Sequence, residues 1–449
     1  MKILPIPPLN AQLTKAIKVV ETTAFEQANQ QHLLHYFLKG LGDLPTIVLE
    51  KLNRSLKAPT AEQYPHTDAH MRLIIGLNHK LKPPIQITQL VQLRQKFAAE
   101  MVAMQSPSVW QQANTDDTFK SKDSNNKENG NLVSWQDKTI ANADGGEMII
   151  RCYQAESSAA QNHEQNHHIY NNSEQIVMLF FHGGGFCLGN VDTDHEFCHT
   201  ICTQTGWAIV SVDYRLAPEN PAPTAIRDCL TTYAWLAKHA HTLGASSSRI
   251  ILTGDSSGSG LAALVAQQVS NATMNQAFDK QKYINTLDDF TIDIFQQLQN
   301  LPRPLAQLLL YPVTDIGEDY PSWKLYGQGL ILDYNDIKVF HAAYLQDSAL
   351  TQPHALLSPL HGDNTQVCPS YIVAAELDIL RDEALVYAEQ LQDYGINVQT
   401  HTVLGAPHGF IDLMSVHRGI GRETYNIIDN FATFVCQIIN KETNTVTLE

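Results

Sequence analysis

The chain has 449 residues, of which 43% are hydrophobic and 17% charged, and its formal net charge is −16. That length allows a large core plus an accessory segment, while the acidic balance excludes a nucleic-acid binder, which needs clustered Lys and Arg against phosphate. Short apolar runs exclude a spanning helix of roughly 20 residues, Pro5, Pro7 and Pro8 break the start where a secretory signal would be unbroken, and seven scattered cysteines give no disulfide framework, so a cytoplasmic setting is expected.

In chain order, residues 1–110 carry 12 basic and 7 acidic side chains, a net of +5, which leaves −21 for the rest. This part reads as helices. Its clearest stripe is Leu90, Leu93, Phe97, Met101 and Met104, spaced three and four apart. We read residues 1–112 as a helical N-terminal cap segment and 113–132 as a polar linker. From Ser134 onward, strand-like runs alternate with helical ones. The strands are expected at Ser134–Ile140, Glu147–Tyr153, Ile176–Phe181, Trp207–Asp213, Arg249–Gly254, Leu305–Tyr311, Ser370–Ala375 and Val398–Leu404. Helices are expected at Pro223–Leu243, Ser256–Ser270 and Asp382–Tyr394. Alternating βα units with continuously apolar strands imply an α/β fold: a mostly parallel eight-stranded sheet with helices on both faces, over residues 133–440. An insert at 271–300 carries the amphipathic run Leu287–Leu298, and Glu156–Gln175, with His163, His167 and His168, reads as a solvated loop. The active site is expected at the carboxyl ends of the strands.

Gly254-Asp255-Ser256-Ser257-Gly258 joins an apolar strand to a helical run, the context a G-x-S-x-G nucleophile elbow requires. His182-Gly183-Gly184-Gly185-Phe186 follows another strand. The N–H groups of Gly184 and Gly185, with that of Ser257, are assigned to an oxyanion hole. Three glycines alone could equally make a flexible turn or a phosphate loop; the pairing with the elbow is what is specific. A serine needs a base and an orienting carboxylate. Among 19 histidines, His408 follows the last strand, and Asp378 follows the strand before it. The order Ser256, Asp378, His408 is that of α/β hydrolases. Glu376, Asp382 and Glu383 compete with Asp378, the last two being better suited to a helix N-terminus.

Together with Tyr214-Arg215-Leu216-Ala217-Pro218-Glu219, Tyr311-Pro312-Val313-Thr314-Asp315, Asp378–Glu383 and His408-Gly409-Phe410, these motifs resemble the hormone-sensitive-lipase-like (GDXG) esterases over about residues 134–440. The likeness is nearest to cold-active bacterial lipases of that group, and extends to the N-terminal segment. It implies an α/β-hydrolase core and a triad of Ser256, Asp378 and His408. Ser257 stands where Ala is common, and Ser259 where a second Gly is common. The first leaves the backbone donor intact; the second could alter pocket shape.

His195, Cys198, His199 and Cys202 fall on one helical face and suggest zinc. Four ligands spread over two turns cannot easily surround one tetrahedral ion, so no metal and no cofactor is expected. The expected function is a serine carboxylic-ester hydrolase acting on short- to medium-chain acyl esters, with triacylglycerols as a further substrate class. Its partners are then a small ester or lipid substrate and, peripherally, a lipid surface. The alternative is a non-catalytic small-molecule receptor or binding protein on the same fold.

Overall fold

The structure, a computed structural model, describes residues 32–110, 132–155, 176–273 and 289–446. Nearly all of the polar linker, the loop Glu156–Gln175 with its three histidines, and the centre of the 271–300 stretch lie outside the described residues.

All five residues of β3 (Val177–Phe181) are fully buried. Alternation sends Val177, Leu179 and Phe181 into one apolar cluster, and Met178 and Phe180 into another. A strand buried on both faces must sit inside a sheet covered on both sides. The other strands are β1 (Val133–Ala141), β2 (Glu147–Ala155), β4 (Ala208–Val212), β5 (Ile250–Asp255), β6 (Ala306–Leu310), β7 (Ser370–Leu377) and β8 (Val398–Pro407). They form one eight-stranded sheet in the order β1-β2-β4-β3-β5-β6-β7-β8. β2 is antiparallel to both neighbours, and the remaining pairs are parallel. Each strand expected from the sequence is present. β8 runs three residues further than expected, so that it ends directly before His408.

Helices α1 (Leu33–Gly42), α2 (Thr46–Leu56), α3 (Ala69–Leu81) and α4 (Leu90–Met104) precede the sheet. After it begins come α5 (His195–Thr205), α6 (Thr224–His239), α7 (Ser256–Thr273), α8 (Asp289–Leu298), α9 (Pro321–Tyr326), α10 (Tyr334–Leu345), α11 (Arg381–Asp393) and α12 (Arg418–Val446). α6, α7, α10 and α11 bury apolar residues in the Leu179 cluster; α5 and α12 do so in the Phe180 cluster. Ile294 and Leu298 of α8 also enter the Leu179 cluster, so the end of the 271–300 stretch packs into the core.

The sequence pattern does not single out two of these helices. α10 starts at Asp333, whose carboxylate caps the N3 backbone while Asp336 caps the Asp333 N–H in return. That is a capping box with Asp in the place of the usual Glu or Gln. α12 has the spacing Ile427, Phe431, Phe434, Val435, Ile438, all buried, and its length leaves the pattern plain once it is sought. Among the described residues, no helix is long and apolar enough to cross a membrane.

The N-terminal helices do not stand apart from the sheet domain. Leu41, Leu52 and Ile75 of α1, α2 and α3 share the cluster that holds Ile427 and Phe431 of α12, whereas Leu90 of α4 belongs to the other cluster. Burying each such side chain stabilises the contact by roughly 1.5–3 kcal/mol, more than an exposed ion pair does. The charges along the seam run both ways. Lys82 pairs with Asp336 and Arg94 with Glu219, but Asp43 pairs with Arg418 and Asp68 with His417. The +5 and −21 halves therefore meet through mixed pairs, and apolar burial carries the association.

Histidines fill much of this seam. His70 stacks on His417 with ring centroids 5.1 Å apart and donates through Nε2 to the Leu38 carbonyl at 3.0 Å. His35 donates to the Met104 carbonyl at 3.0 Å and lies 3.2 Å from the Ser415 hydroxyl. Burial, the largest cause in each case, lowers both imidazoles to about 4. A histidine kept neutral when folded adds no pH dependence above the unfolded value of about 6.5. As pH falls from there towards 4, the unfolded chain takes up the proton first, and stability drops. Replacing both residues by glutamine should therefore lower the melting temperature at pH 7.5, where only hydrogen bonds and packing are lost. The gap to wild type should close as pH falls to 5. Calorimetric melting at both pH values checks this; a gap that stays constant rules it out.

Candidate active site

β5 passes into α7 through Ser256, whose φ of +52° is a left-handed conformation disfavoured for a side-chain-bearing residue. The strain is imposed by crowding. A Cβ on Gly258 would lie 2.0 Å from the Phe181 carbonyl oxygen, and one on Gly254 would lie 2.5 Å from both that oxygen and the Gly258 carbonyl carbon. Only glycines let β3, β5 and α7 approach this closely. The turn then projects the Ser256 hydroxyl from the helix start, beyond the strand ends.

The structure brings Ser256, His408 and Asp378 together. The Ser256 hydroxyl lies 2.8 Å from His408 Nε2, and His408 Nδ1 lies 2.8 Å from Asp378 Oδ2. Asp378, 1% exposed, also accepts the Leu380 N–H at 2.9 Å through Oδ1, which fixes the carboxylate plane. Tyr311 packs edge-on against the imidazole at 4.9 Å. The competing carboxylates are occupied elsewhere. Glu376 accepts from Gly405 N–H and pairs with His66. Asp382 pairs with Arg381 and accepts from Ser322 N–H. Glu383 is buried and accepts the N–H groups of Thr314 and Asp315. Asp382 and Glu383 do lie in the first turn of α11, as expected of helix-start acids.

Gly184 and Gly185, with φ of +110° and +61°, turn the chain beside the serine. The structure gives these glycines a further reason. A Cβ on Gly184 would meet the Leu188 carbonyl oxygen at 2.3 Å, and one on Gly185 would meet the Phe340 ring at 2.4 Å. The turn itself needs them, apart from any approach of substrate oxygen. Ser257 follows Ser256 at the first turn of α7, where backbone N–H groups lack helical partners. Its hydroxyl has a role that the local sequence does not reveal: it accepts the Phe186 N–H at 3.2 Å, fastening the glycine turn to the elbow. Ser259 faces the sheet, away from the cavity. Its hydroxyl accepts the Leu310 N–H at 2.8 Å and reaches the Gly254 carbonyl. The next residue, Gly260, leaves no room for a Cβ, which would lie 2.4 Å from the Val313 carbonyl oxygen.

Ser256 and His408 open onto a cavity of about 290 Å³. Ile85, Leu93, Phe97 and Met101 of the N-terminal segment line it, together with Ile337 and Phe340 of α10. Three acids line it too: Asp255 of the elbow motif, and Asp194 and Asp412, which no sequence pattern marks. Burial raises Asp194 to about 7 and raises Asp255 and Asp412 well above the ordinary carboxylate range; the charge of Asp194 adds to the last two. Asp255 packs on Gly183, and Asp194 accepts from the Thr193 hydroxyl at 2.9 Å.

The four residues whose spacing suggests zinc are otherwise engaged. His195 bonds through Nδ1 to the Tyr153 hydroxyl and through Nε2 to the Val109 carbonyl, and stacks on Trp110 at 4.1 Å. Cys198 and Cys202 are buried, and His199 lies 3.3 Å from the Thr203 hydroxyl. Among the described residues no three His, Cys, Asp or Glu side chains are placed to hold an ion.

Sheet order, elbow and the serine–histidine–aspartate chain define an α/β hydrolase. Residues 178–412 match a family model described as the alpha/beta hydrolase fold. Lipase 2 of Moraxella sp. (strain TA144) is 58% identical over 449 residues, covering 98% of each chain. The carboxylic ester hydrolase LipN of Mycobacterium tuberculosis is 35% identical over 55% of this chain and 60% of its own. Among solved structures, an ester hydrolase from the metagenome of Lake Arreo shares the fold at a TM-score of 0.62 and 22% identity, covering 84% of this chain and 99% of its own. The chain belongs to the hormone-sensitive-lipase-like family of α/β hydrolases.

The geometry separates the rival acids experimentally. Asp378→Asn should reduce kcat for a soluble ester by roughly 10³-fold or more, since the amide favours the wrong imidazole tautomer. Asp382→Asn should change it less than about tenfold, because its contacts are to Arg381 and Ser322. Steady-state kinetics of the two variants check the ranking, and the reverse order would move the orienting acid to Asp382.

Proposed function

We propose that the protein hydrolyses carboxylic esters of short- to medium-chain acids, triacylglycerols included, through an acyl-enzyme on Ser256. The observation that carries the reading is the pair of 2.8 Å hydrogen bonds linking Ser256, His408 and Asp378 at the floor of an apolar cavity. His408 Nε2 takes the Ser256 proton as the serine attacks the ester carbonyl. Asp378 holds the imidazole in the tautomer that can do so and stabilises its positive charge. The N–H groups of Gly184, Gly185 and Ser257 receive the developing oxyanion. His408 then protonates the leaving alcohol, and later activates water to release the acid. The sequence relatives are named lipases and ester hydrolases, which supports the same chemistry here. We assign the enzyme to the cytoplasm, in keeping with seven cysteines that form no disulfide.

The first four helices act as a cap that sets which acyl chains fit. Leu93, Phe97 and Met101 of α4 supply wall to the cavity, and each is only half-buried without a substrate. Contact with a lipid surface adds to this reading: Leu81 is 51% exposed and Val91 47%, and they flank wall residues Lys82 and Leu93. The acyl-enzyme is tested by Ser256→Ala, which should fold normally yet lose several orders of magnitude in turnover. Retained wild-type turnover would end this mechanism, whereas a wild-type chain that turns over no ester would favour a binding protein.

The cap is tested by Phe97→Ala with soluble p-nitrophenyl esters of increasing acyl length and no membrane present. Removing the ring enlarges the cavity, and each methylene newly buried is worth about 0.8 kcal/mol. The preferred chain should lengthen by several carbons. An unchanged chain-length profile, with loss only of binding to anionic vesicles in a Leu81→Ser/Val91→Ser variant, would make the segment an anchor and not a cap.

A further inference from the structure

Arg94 lies on α4 next to the cavity-wall residue Leu93, but its side chain reaches the sheet domain. Its Nε–H donates to the Cys187 carbonyl at 2.8 Å, and an Nη2–H donates to the Ala217 carbonyl at 2.6 Å. Nη1 and Nη2 also fork onto the Glu219 carboxylate at 2.7 and 2.6 Å. One guanidinium thus ties three acceptors on two separate segments, which only a planar, multiply donating group can do.

Those acceptors surround the glycine turn. The N–H groups of Cys187 and Leu188 close onto the Gly184 carbonyl at 3.1 and 2.9 Å. Ala217 N–H donates to the Phe186 carbonyl at 2.9 Å, and Phe186 N–H donates to the Ser257 hydroxyl at 3.2 Å. The chain directly after Gly185, at Phe186 and Cys187, is therefore held to its surroundings at three points. Two of these ties come from within the sheet domain. The third, on Cys187, comes from the N-terminal segment through Arg94. A second N-terminal residue, Gln105, holds the far end of the same loop by donating to the carbonyls of Asp192 and Thr193. Glu219 keeps its charge across the neutral range because Arg94 holds its carboxyl below the usual value.

We propose that Arg94 is a positioning residue for the oxyanion hole, fixing the turn that aims the Gly184 and Gly185 N–H groups. This rests on the ester-hydrolysis reading above. It makes α4 part of the apparatus that binds the transition state, so that even an acyl group too short to touch the cap depends on it. Oxyanion donors act through preset geometry, and displacement by about 1 Å can cost on the order of 100-fold in rate.

The test uses the full chain and two soluble esters, p-nitrophenyl acetate and p-nitrophenyl octanoate. Arg94→Met should lower kcat by about 10- to 100-fold on both esters alike, with KM within about twofold of wild type. Arg94→Lys, which keeps charge and reach but lacks the fork, should fall between. The rate at which p-nitrophenyl diethyl phosphate phosphorylates Ser256 should slow by the same factor, because its phosphoryl oxygen draws on the same donors. A kcat loss confined to octanoate would make Arg94 an anchor of the acyl wall only, and would overturn the proposal. So would an unchanged kcat accompanied by a raised KM or a lowered melting temperature. If Arg94→Met does not fold, Arg94→Lys separates the same outcomes through its kcat ratio on the two esters. Ser256→Ala, assayed alongside, keeps the two readings apart. Turnover surviving in that variant removes the ester-hydrolysis mechanism, whereas a dead Ser256→Ala with a flat kcat for both Arg94 variants removes only the role of Arg94.

Discussion

Where β3 meets the start of α7, the Phe181 carbonyl leaves no room for a methyl group on Gly258 or Gly254. The arrangement around Ser256 follows from that contact. Because helix and strand are so close, the residue between them must take φ of +52°, and its hydroxyl is thrust outward. The same closeness brings the next side chain, Ser257, against the turn that follows β3, where its hydroxyl takes the Phe186 N–H. The Ser256 hydroxyl and the glycine turn after β3 are thereby referred to one crossing. A methyl group placed there would separate β3 from α7 and move both at once. Core overpacking costs roughly 1–3 kcal/mol in stability, but the larger effect would fall on chemistry that tolerates only a fraction of an ångström.

Electrostatics around the crossing obey a second constraint. A site that develops an oxyanion should not be lined by fixed negative charge, yet Asp194, Asp255 and Asp412 all face the cavity. Burial works against that charge, raising Asp194 to about 7 and Asp255 and Asp412 well above the ordinary carboxylate range. Asp378 differs in kind: it is just as buried, but a backbone N–H and His408 both meet its oxygens.

What the sequence disclosed and what it concealed divide along the same physical line. Continuously apolar runs made the eight strands legible, and local turn chemistry made Gly254–Gly258 and Gly183–Gly185 legible. Ser256, Asp378 and His408 could be picked out because each follows a strand, and strand ends are where such a fold gathers its chemistry. Asp194 and Asp412 could not, since an acid outside a motif looks the same in sequence whether solvated or buried. The hydroxyl roles of Ser257 and Ser259 depend on partners 71 and 51 residues away, and local pattern carries no such information. Arg94 was hidden differently. It sits beside an apolar stripe, where a basic residue reads as the solvated edge of a helix. Nothing in the linear sequence places Cys187, Ala217 and Glu219 within its reach.

The stripe on α4 is itself unusual in what it faces. Leu90 is fully buried, as an amphipathic helix requires, but Leu93, Phe97 and Met101 remain half-buried beside open space. A helix that turns part of its apolar face towards a cavity forgoes some of the stabilisation it would gain in a packed core, about 25 cal/mol for each Å² left uncovered. An apolar ligand that fills the cavity restores that burial for both partners. The helix must then be held by something other than its stripe. Side-chain ties supply that hold: Arg94, between Leu93 and Phe97, grips Cys187, Ala217 and Glu219, and Gln105, just past the helix end, grips Asp192 and Thr193. Because the ties to Cys187, Asp192 and Thr193 land on the loop that carries Gly184 and Gly185, holding the wall and holding the glycine turn are one structural task.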